Sequence, residues 1–237
     1  MGIRVLSLFD GMSCCQIALK ELGIEVDAYY ASEIDKHAIK QTQLNFPNTI
    51  QLGSVTEVDA RKLGHIDFIA GGSPCTNFSF AGRRNGMNTT TNEEIYTLER
   101  YLDLKKQGFE FDGESFLFWE YMRILGEVRE TNPNVFFFLE NVEMGEKWES
   151  VLTKAIGIPG VHINSALVSA QKRRRIYWTN IKTKTDGLFG WTVPDIEQPE
   201  DRGIMLQDVL EDEVEGKYYL KDETVDKLLA NGVNGAA

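Results

Sequence analysis

Ile66-Asp67-Phe68-Ile69-Ala70-Gly71-Gly72-Ser73-Pro74-Cys75 is the stretch on which the reading of this chain turns. Residues 66–70 are mostly apolar and end at glycine, the pattern of a short strand buried in a parallel sheet. Gly71 and Gly72 open backbone conformations closed to other residues, and Pro74 fixes the approach to Cys75. Ligands of open α/β sheets sit beyond the carboxyl ends of the strands, so a cysteine here is expected to face a cleft. Free cysteine is also a common buried apolar residue. The Gly-Gly-Ser-Pro turn favours exposure, and with it chemistry, at Cys75.

Outward from this turn, strand and helix signals alternate. Residues 4–9 read as a buried first strand, Asp10-Gly11-Met12-Ser13 as a turn, and residues 14–22 as a helix closed by Gly23. Residues 26–32 make a second strand ending at Glu33, residues 35–45 a helix with Pro47 beyond it, and residues 49–52 a short third strand. After Cys75 the sequence is polar and glycine-rich up to Thr91. A helix is then expected over residues 93–106, capped by Asn92 and stopped by Gly108. Residues 116–131 are strongly amphipathic, residues 135–139 are an intensely apolar strand ending at Glu140-Asn141, and residues 148–156 are helical. Strands follow at 162–168 and 176–180, and then an acidic tail with short helices expected at 205–210 and 223–230. This alternation predicts an α/β fold with a mostly parallel sheet and helices on both faces.

At 237 residues the chain has room for one substantial domain with a small appendage, and its core needs no disulfides. Three cysteines, two of them adjacent at Cys14 and Cys15, make no disulfide framework. Met1-Gly2-Ile3-Arg4 runs straight into a strand-like segment without a secretory leader, so a reducing cytoplasm is the expected location. No apolar run approaches the roughly 20 residues that cross a membrane, and no membrane partner is expected. The net charge of -11 argues against indiscriminate nucleic-acid binding, yet it is uneven. Arg83-Arg84 and Lys172-Arg173-Arg174-Arg175 are basic clusters, while residues 197–215 are heavily acidic. DNA is therefore not excluded by the average.

Three further features invite chemistry. The turn at residues 10–13 follows a strand and precedes a helix, an arrangement that aims backbone N–H groups at a ligand, although one Gly11 is a weaker signal than a full glycine fingerprint. Glu33 follows at about the twenty-residue spacing of a ribose-binding acid, which equally suits a solvated carboxylate. Glu140, at the end of a core strand, reads either as a helix cap or as an acid held in a dry cleft. The basic run at 171–175 by itself suits a solvated face.

Four of these segments together resemble the motifs of the C5-cytosine DNA methyltransferases, most closely the subset related to the de novo enzymes of animals. Phe9-Asp10-Gly11 looks like the cofactor turn, and Gly71-Gly72-Ser73-Pro74-Cys75 with Asn77-Phe78-Ser79 looks like the nucleophile loop. Glu140-Asn141-Val142 looks like the ENV motif, and Gln171-Lys172-Arg173-Arg174-Arg175 like the QxRxR motif, in family order. The resemblance runs from Ile3 to Ile181. It implies a Rossmann-like S-adenosylmethionine-dependent methyltransferase fold, with a catalytic domain over residues 1–181 and an incomplete target-recognition region over 182–237.

The same resemblance assigns roles. Cys75 would add to carbon 6 of a flipped-out cytosine so that carbon 5 can take a methyl from S-adenosylmethionine, leaving S-adenosylhomocysteine. Glu140 would hydrogen-bond ring nitrogen 3 and the exocyclic amine, and Arg173 and Arg175 would hold the base carbonyl and the nucleophile loop. Phe9, Asp10, Gly11, Met12, Ser13, Cys14, Glu33, Ile34, Ser54, Val55, Pro74 and Leu117 are expected around the cofactor, with Glu33 on the ribose. Ser73, Asn141, Gln171, Arg83 and Arg84 are expected on the side of double-stranded DNA. No metal is implied. Ser54 departs from the family's aspartate, and residues 86–115 exceed the usual catalytic loop.

The family's target-recognition region, its structural arginine motif and its final GN-type motif are not found between Thr183 and Ala237. A missing C-terminal half or a restriction-system partner is therefore expected, in a prokaryotic cytoplasm or a phage-infected host. Two alternatives stay open: a tRNA cytosine-5 methyltransferase, which shares the cysteine chemistry, and a non-catalytic interaction subunit that keeps the fold. A Rossmann-like dehydrogenase would need neither the Pro-Cys turn nor the arginine cluster.

Overall fold

The computed structural model of the protein describes residues 2–74, 93–111, 113–188 and 190–232. Two units divide the chain: Met1–Asn164 with Arg173–Pro199, and Ser165–Lys172 with Glu200–Ala237. The division expected after residue 181 falls inside the first unit.

The first unit begins with β1 (Ile3–Leu8), α1 (Cys14–Glu21), β2 (Val26–Ser32), α2 (Lys36–Asn45) and β3 (Ile50–Gln51). Two 3-10 turns, Val55–Glu57 and Ala60–Leu63, lead to β4 (Phe68–Gly71). Then come α3 (Leu98–Lys106), α4 (Leu117–Thr131), β5 (Phe136–Val142), α5 (Glu146–Ile156), β6 (Val161–Asn164) and β7 (Arg174–Thr179). The strand order is β3-β2-β1-β4-β5-β7-β6, with β7 antiparallel to both of its neighbours and the other pairings parallel. The chain winds outward from β1 in one direction and returns at β4, so the switch point where such sheets bind ligands lies between these two strands.

The sheet's faces are unequally covered. One face carries Leu6, Leu8, Ile69, Phe137 and Leu139 and packs with Tyr101, Phe118, Trp119, Tyr121, Ile124 and Leu125 into the main core. On the other face the buried apolar cluster is Val5, Leu19, Tyr29 and Ala31, with Ile3 and Phe68 packed against it. Phe136 pairs with Phe68 on this second face and is 50% exposed. Among the described residues β5 is thus buried at Phe137 and Leu139 on one face, while Phe136 on the other is half exposed.

Several boundaries differ from the sequence expectation for local reasons. α3 starts at Leu98, because Thr97 accepts a hydrogen bond from Arg100 N–H (3.2 Å) as its N-cap; Asn92 lies outside the described residues. β5 does not end at Leu139 but runs through Glu140 and Asn141, since Glu140 pairs with Tyr177 and Val142 with Arg175 of β7. β6 stops at Asn164 and gives way to a 3-10 turn, Ser165–Leu167. A hairpin of β8 (Thr183–Asp186) and β9 (Trp191–Pro194), for which no strands were expected, follows β7, with Gly187 and Gly190 at φ 71° and 68° in its turn.

In the second unit, Arg202 N–H donates to Leu167 O (2.8 Å), and the unit's longest element is α6 (Asp222–Gly232). The stretch expected to be helical at 205–210 is a 3-10 turn, Leu206–Val209. None of this unit's described side chains is buried.

Candidate active site

Strands β1, β2 and β4 end level with Leu139 of β5, because Leu8 pairs with both Ser32 and Gly71, and Gly71 pairs with Leu139. The residues that continue them, Phe9, Glu33, Gly72 and Glu140, therefore share one rim. Here the sequence-expected residues gather.

At the β1 end, Phe9, Gly11 and Ser13 take positive φ values of 57°, 59° and 63°. Two of these are not glycine, at a cost of about 1–2 kcal/mol each, so the surroundings must hold the turn in place. They do. Gly11 N–H donates to Glu33 Oε2 (2.8 Å), the Tyr29 hydroxyl to Asp10 Oδ1 (2.7 Å), Asp10 N–H to Ser32 O (3.2 Å), and the Ser13 hydroxyl to Asp10 Oδ2. Glu33 Oε1 also accepts from the N–H groups of Ile34 (2.7 Å) and Asp35 (2.8 Å). A carboxylate offers about four acceptor positions, so Glu33 keeps one for a ligand after binding three backbone donors. Burial pushes the Cys15 thiol beneath this turn up to about 11; its bond to Tyr29 opposes the shift and Asp10 adds to it.

The β2 and β3 ends are joined by a bond from the Ser32 hydroxyl to Gly53 O (2.8 Å). Ser54 accepts from Thr56 N–H (3.3 Å) and caps the turn that begins at Val55. Met12 and Ile34 present apolar side chains to solvent at 57% and 76% exposure, and Leu117 is half-buried at the start of α4.

The β4 and β5 ends form the second half of the site. Asn141, buried, donates from Nδ2 to Ser73 Oγ (3.0 Å) and Ser73 O (3.3 Å), pinning the turn that leads through Pro74 to Cys75. Ser73 is buried as well, and the two residues expected on the side of the DNA bond to each other here. No side chain fits at either glycine without displacement. A Cβ on Gly71 would lie 3.0 Å from the Tyr121 ring and 3.1 Å from Leu8 O, and one on Gly72 would lie 3.1 Å from Glu140 Oε2.

Glu140 Oε1 meets Arg175 Nε at 2.8 Å and Arg173 Nη2 at 3.1 Å. The antiparallel pairing of β5 with β7 creates this group, since the position opposite Val142 is Arg175. Oε2 is left facing the Gly72 turn. Of the remaining expected residues, Gln171 belongs to the second unit, and Cys75, Arg83 and Arg84 lie outside the described residues.

A cavity of about 960 Å³ runs along the second sheet face past Leu19, Phe68 and Phe136 and reaches this rim at Phe9, Asp10, Gly72 and Glu140; Glu33, Ile34, Ser54 and Leu117 are not among its lining. Among the described residues no group of three or more His, Cys, Asp and Glu could hold a metal ion, and no helix is long and apolar enough to cross a membrane. Tyr29 was not singled out by the sequence. The available signal was a hydroxyl in the middle of a core strand, which requires a partner.

Comparison with known proteins gives concordant results. Residues 3–108 match the family model described as C-5 cytosine-specific DNA methylase. The orphan methyltransferase M.Rho11sI of Bacillus phage rho11s is 29% identical over 269 residues, covering 96% of this chain and 47% of that protein. M.SPRI of Bacillus phage SPR is 27% identical over 264 residues, covering 96% and 54%. The chain thus spans about half the length of these relatives. Crystal structures of a Spodoptera frugiperda DNMT2 variant and of S. pombe Dnmt2 methyltransferase share the fold, each with TM-score 0.59, at 20% and 16% identity. They align with 93% and 98% of this chain, covering 63% and 66% of theirs.

Proposed function

We propose that this chain, which belongs to the C-5 cytosine-specific DNA methylase family, methylates carbon 5 of cytosine in double-stranded DNA with Cys75 as nucleophile. The observation that carries the reading is the meeting of Glu140, Arg173 and Arg175 beside the Gly72 turn, at the mouth of the cavity that also receives the β1 turn.

The residues fit S-adenosylmethionine. Glu33 retains an acceptor for a ribose hydroxyl, Asp10 is fixed by Tyr29, and Ile34, Met12 and Leu117 offer apolar surface for the adenosyl and methionyl parts. When bound, the cofactor supplies an electrophilic methyl group.

The chain's own groups prepare cytosine to accept it. The Cys75 thiolate forms a bond to carbon 6, and the electron pair of the 5,6 double bond becomes available at carbon 5. Glu140 Oε2, the oxygen not taken by the arginines, is the group for ring nitrogen 3 and the exocyclic amine. Charge developing on the base carbonyl falls to Arg175 and Arg173, whose planar guanidinium groups suit such an acceptor. Once carbon 5 carries the methyl, loss of its proton restores the double bond and expels Cys75.

The family and the phage origin of the relatives support DNA as substrate, in a bacterial cell or its phage. A further segment or partner, in a restriction system or outside one, is the natural source of sequence recognition. The test is incorporation of labelled methyl into duplex DNA and tRNA in parallel. Transfer to DNA alone is expected; transfer to tRNA alone would keep the chemistry and change the substrate. Cofactor binding without transfer to either would favour an interaction subunit.

A further inference from the structure

Arg123 has no assigned part in the site above, yet all three of its guanidinium nitrogens donate hydrogen bonds. Its side chain, 15% exposed, projects from α4 and makes four hydrogen bonds that engage all three guanidinium nitrogens. Nη1 donates to Val58 O (2.9 Å) and Glu127 Oε1 (2.6 Å), Nη2 donates to Val55 O (3.1 Å) and meets Glu120 Oε2 (2.6 Å), and Nε donates to the same Oε2 (2.7 Å). The two carbonyls belong to the turn that follows Ser54, where the adenine end of the cofactor site is expected. Glu127 adds a second hold on this segment by accepting Ala60 N–H (3.0 Å).

The other side of the network reaches α3. Glu120 is fully buried, and its Oε1 accepts from Lys105 Nζ (2.5 Å) and from the Tyr101 hydroxyl. Burial opposes the charge on Arg123, but Glu120 and Glu127 more than offset it and raise its pKa. A planar guanidinium held on all three nitrogens between two carboxylates and two carbonyls has a fixed geometry that a lysine cannot reproduce. The apolar core alone would hold α4 against the sheet; it does not require a buried ionic chain ending on those two carbonyls.

We propose that Arg123 is a positioning residue for the Ser54–Val55 end of the cofactor site, and that Glu120 makes its placement depend on α3 through Lys105 and Tyr101. This rests on the methyltransferase reading for the identity of the ligand, but not for the mechanical link. A ligand that orders the 54–58 turn stabilises the Arg123 fork and, through the shared carboxylate, α3.

Two measurements separate the link from the reading. Hydrogen exchange of the ligand-free protein is followed at residues 54–58 in wild type, Arg123→Lys and Lys105→Met, with the exposed neighbour variant Lys106→Met as an α3 control. Exchange at 54–58 is expected to rise about tenfold in Arg123→Lys and several-fold in Lys105→Met, which touches no residue of that turn, and to stay at the wild-type rate in Lys106→Met. Unchanged exchange at 54–58 in Lys105→Met would overturn the link, and that variant alters a partly exposed side chain, so it decides the matter even where Arg123→Lys folds poorly. S-adenosylhomocysteine binding is then measured by calorimetry well below each melting temperature. A Kd raised about tenfold in Arg123→Lys supports the positioning role, whereas a lowered melting temperature with wild-type Kd would reduce Arg123 to a structural residue. Wild-type protein that fails to bind S-adenosylhomocysteine would refute the cofactor assignment while the exchange result stands.

Discussion

Glu140 Oε1 lies 2.8 Å from Arg175 Nε, a contact made across two antiparallel strands at the rim of an otherwise parallel sheet. Glu140 is therefore oriented before any base arrives. Replacing it with glutamine keeps its size and removes the proton-transfer and charge-balancing capacity. Glu140→Gln is expected to lower kcat for methyl transfer by about 10²–10⁴-fold, the usual worth of a positioned acid. Its melting temperature should stay near wild type, since the side chain is partly exposed. Single-turnover methyl transfer beside a thermal melt checks both.

Asn141 and Ser73 make a second, buried pair that holds the turn before Cys75. Asn141→Ala removes the two hydrogen bonds given to Ser73 and the one accepted from Val142 N–H, and leaves Ser73 without that donor, a loss of about 1–3 kcal/mol. Gly72→Ala should instead spare stability more than activity, because its new Cβ meets the Glu140 carboxylate at 3.1 Å rather than backbone. Urea unfolding and methyl transfer on the two variants should rank in opposite orders.

Cys15 gives a pH dependence whose sign follows from its environment. Burial raises its pKa from 9.0 to about 11, so the folded state holds the proton more tightly than the unfolded one. The associated stability is fully present below pH 9 and lost as pH rises through 11, by about 2–3 kcal/mol. Urea unfolding at pH 8 and pH 10.5 should show this loss in wild type and less of it in Cys15→Ala. Exposed Cys14 should be alkylated at pH 8 while Cys15 is not, and S-adenosylhomocysteine should protect Cys14.

The two faces of β5 predict opposite mutational costs within one apolar run. Phe137 is 2% exposed in the main core, and Phe137→Ala is expected to cost about 3–5 kcal/mol. Phe136, its neighbour in sequence, is 50% exposed, and Phe136→Ala should cost under about 1 kcal/mol. Chemical denaturation of the two variants checks the asymmetry directly.

Much of this architecture was legible in the sequence, because alternating apolar strands and amphipathic helices leave few ways to bury a sheet. The strand at 26–32 and the helix start at Cys14 fall where expected, and Glu140, Arg173 and Arg175 come together in space. Other features were not legible for physical reasons. The continuation of β5 through Glu140-Asn141 depends on pairing with a strand more than thirty residues away. The hairpin β8–β9 is specified by Gly187 and Gly190, and its strands alternate too weakly to announce themselves. The exposure of Phe136 depends on what does not cover the sheet, which periodicity within one strand cannot report. The part played by Arg123 rests on two backbone carbonyls, and carbonyls carry no sequence signal.

The most direct test of the central claim is covalent capture. A duplex in which target cytosines carry fluorine at carbon 5 is incubated with the protein and S-adenosylmethionine, then resolved under denaturing conditions. With fluorine in place of the departing proton, the bond from Cys75 to carbon 6 cannot be released after methylation. The account predicts a denaturation-resistant protein–DNA band that requires S-adenosylmethionine and disappears in Cys75→Ser. Methyl transfer by wild type without such a band, or a band of equal strength in Cys75→Ser, would contradict it.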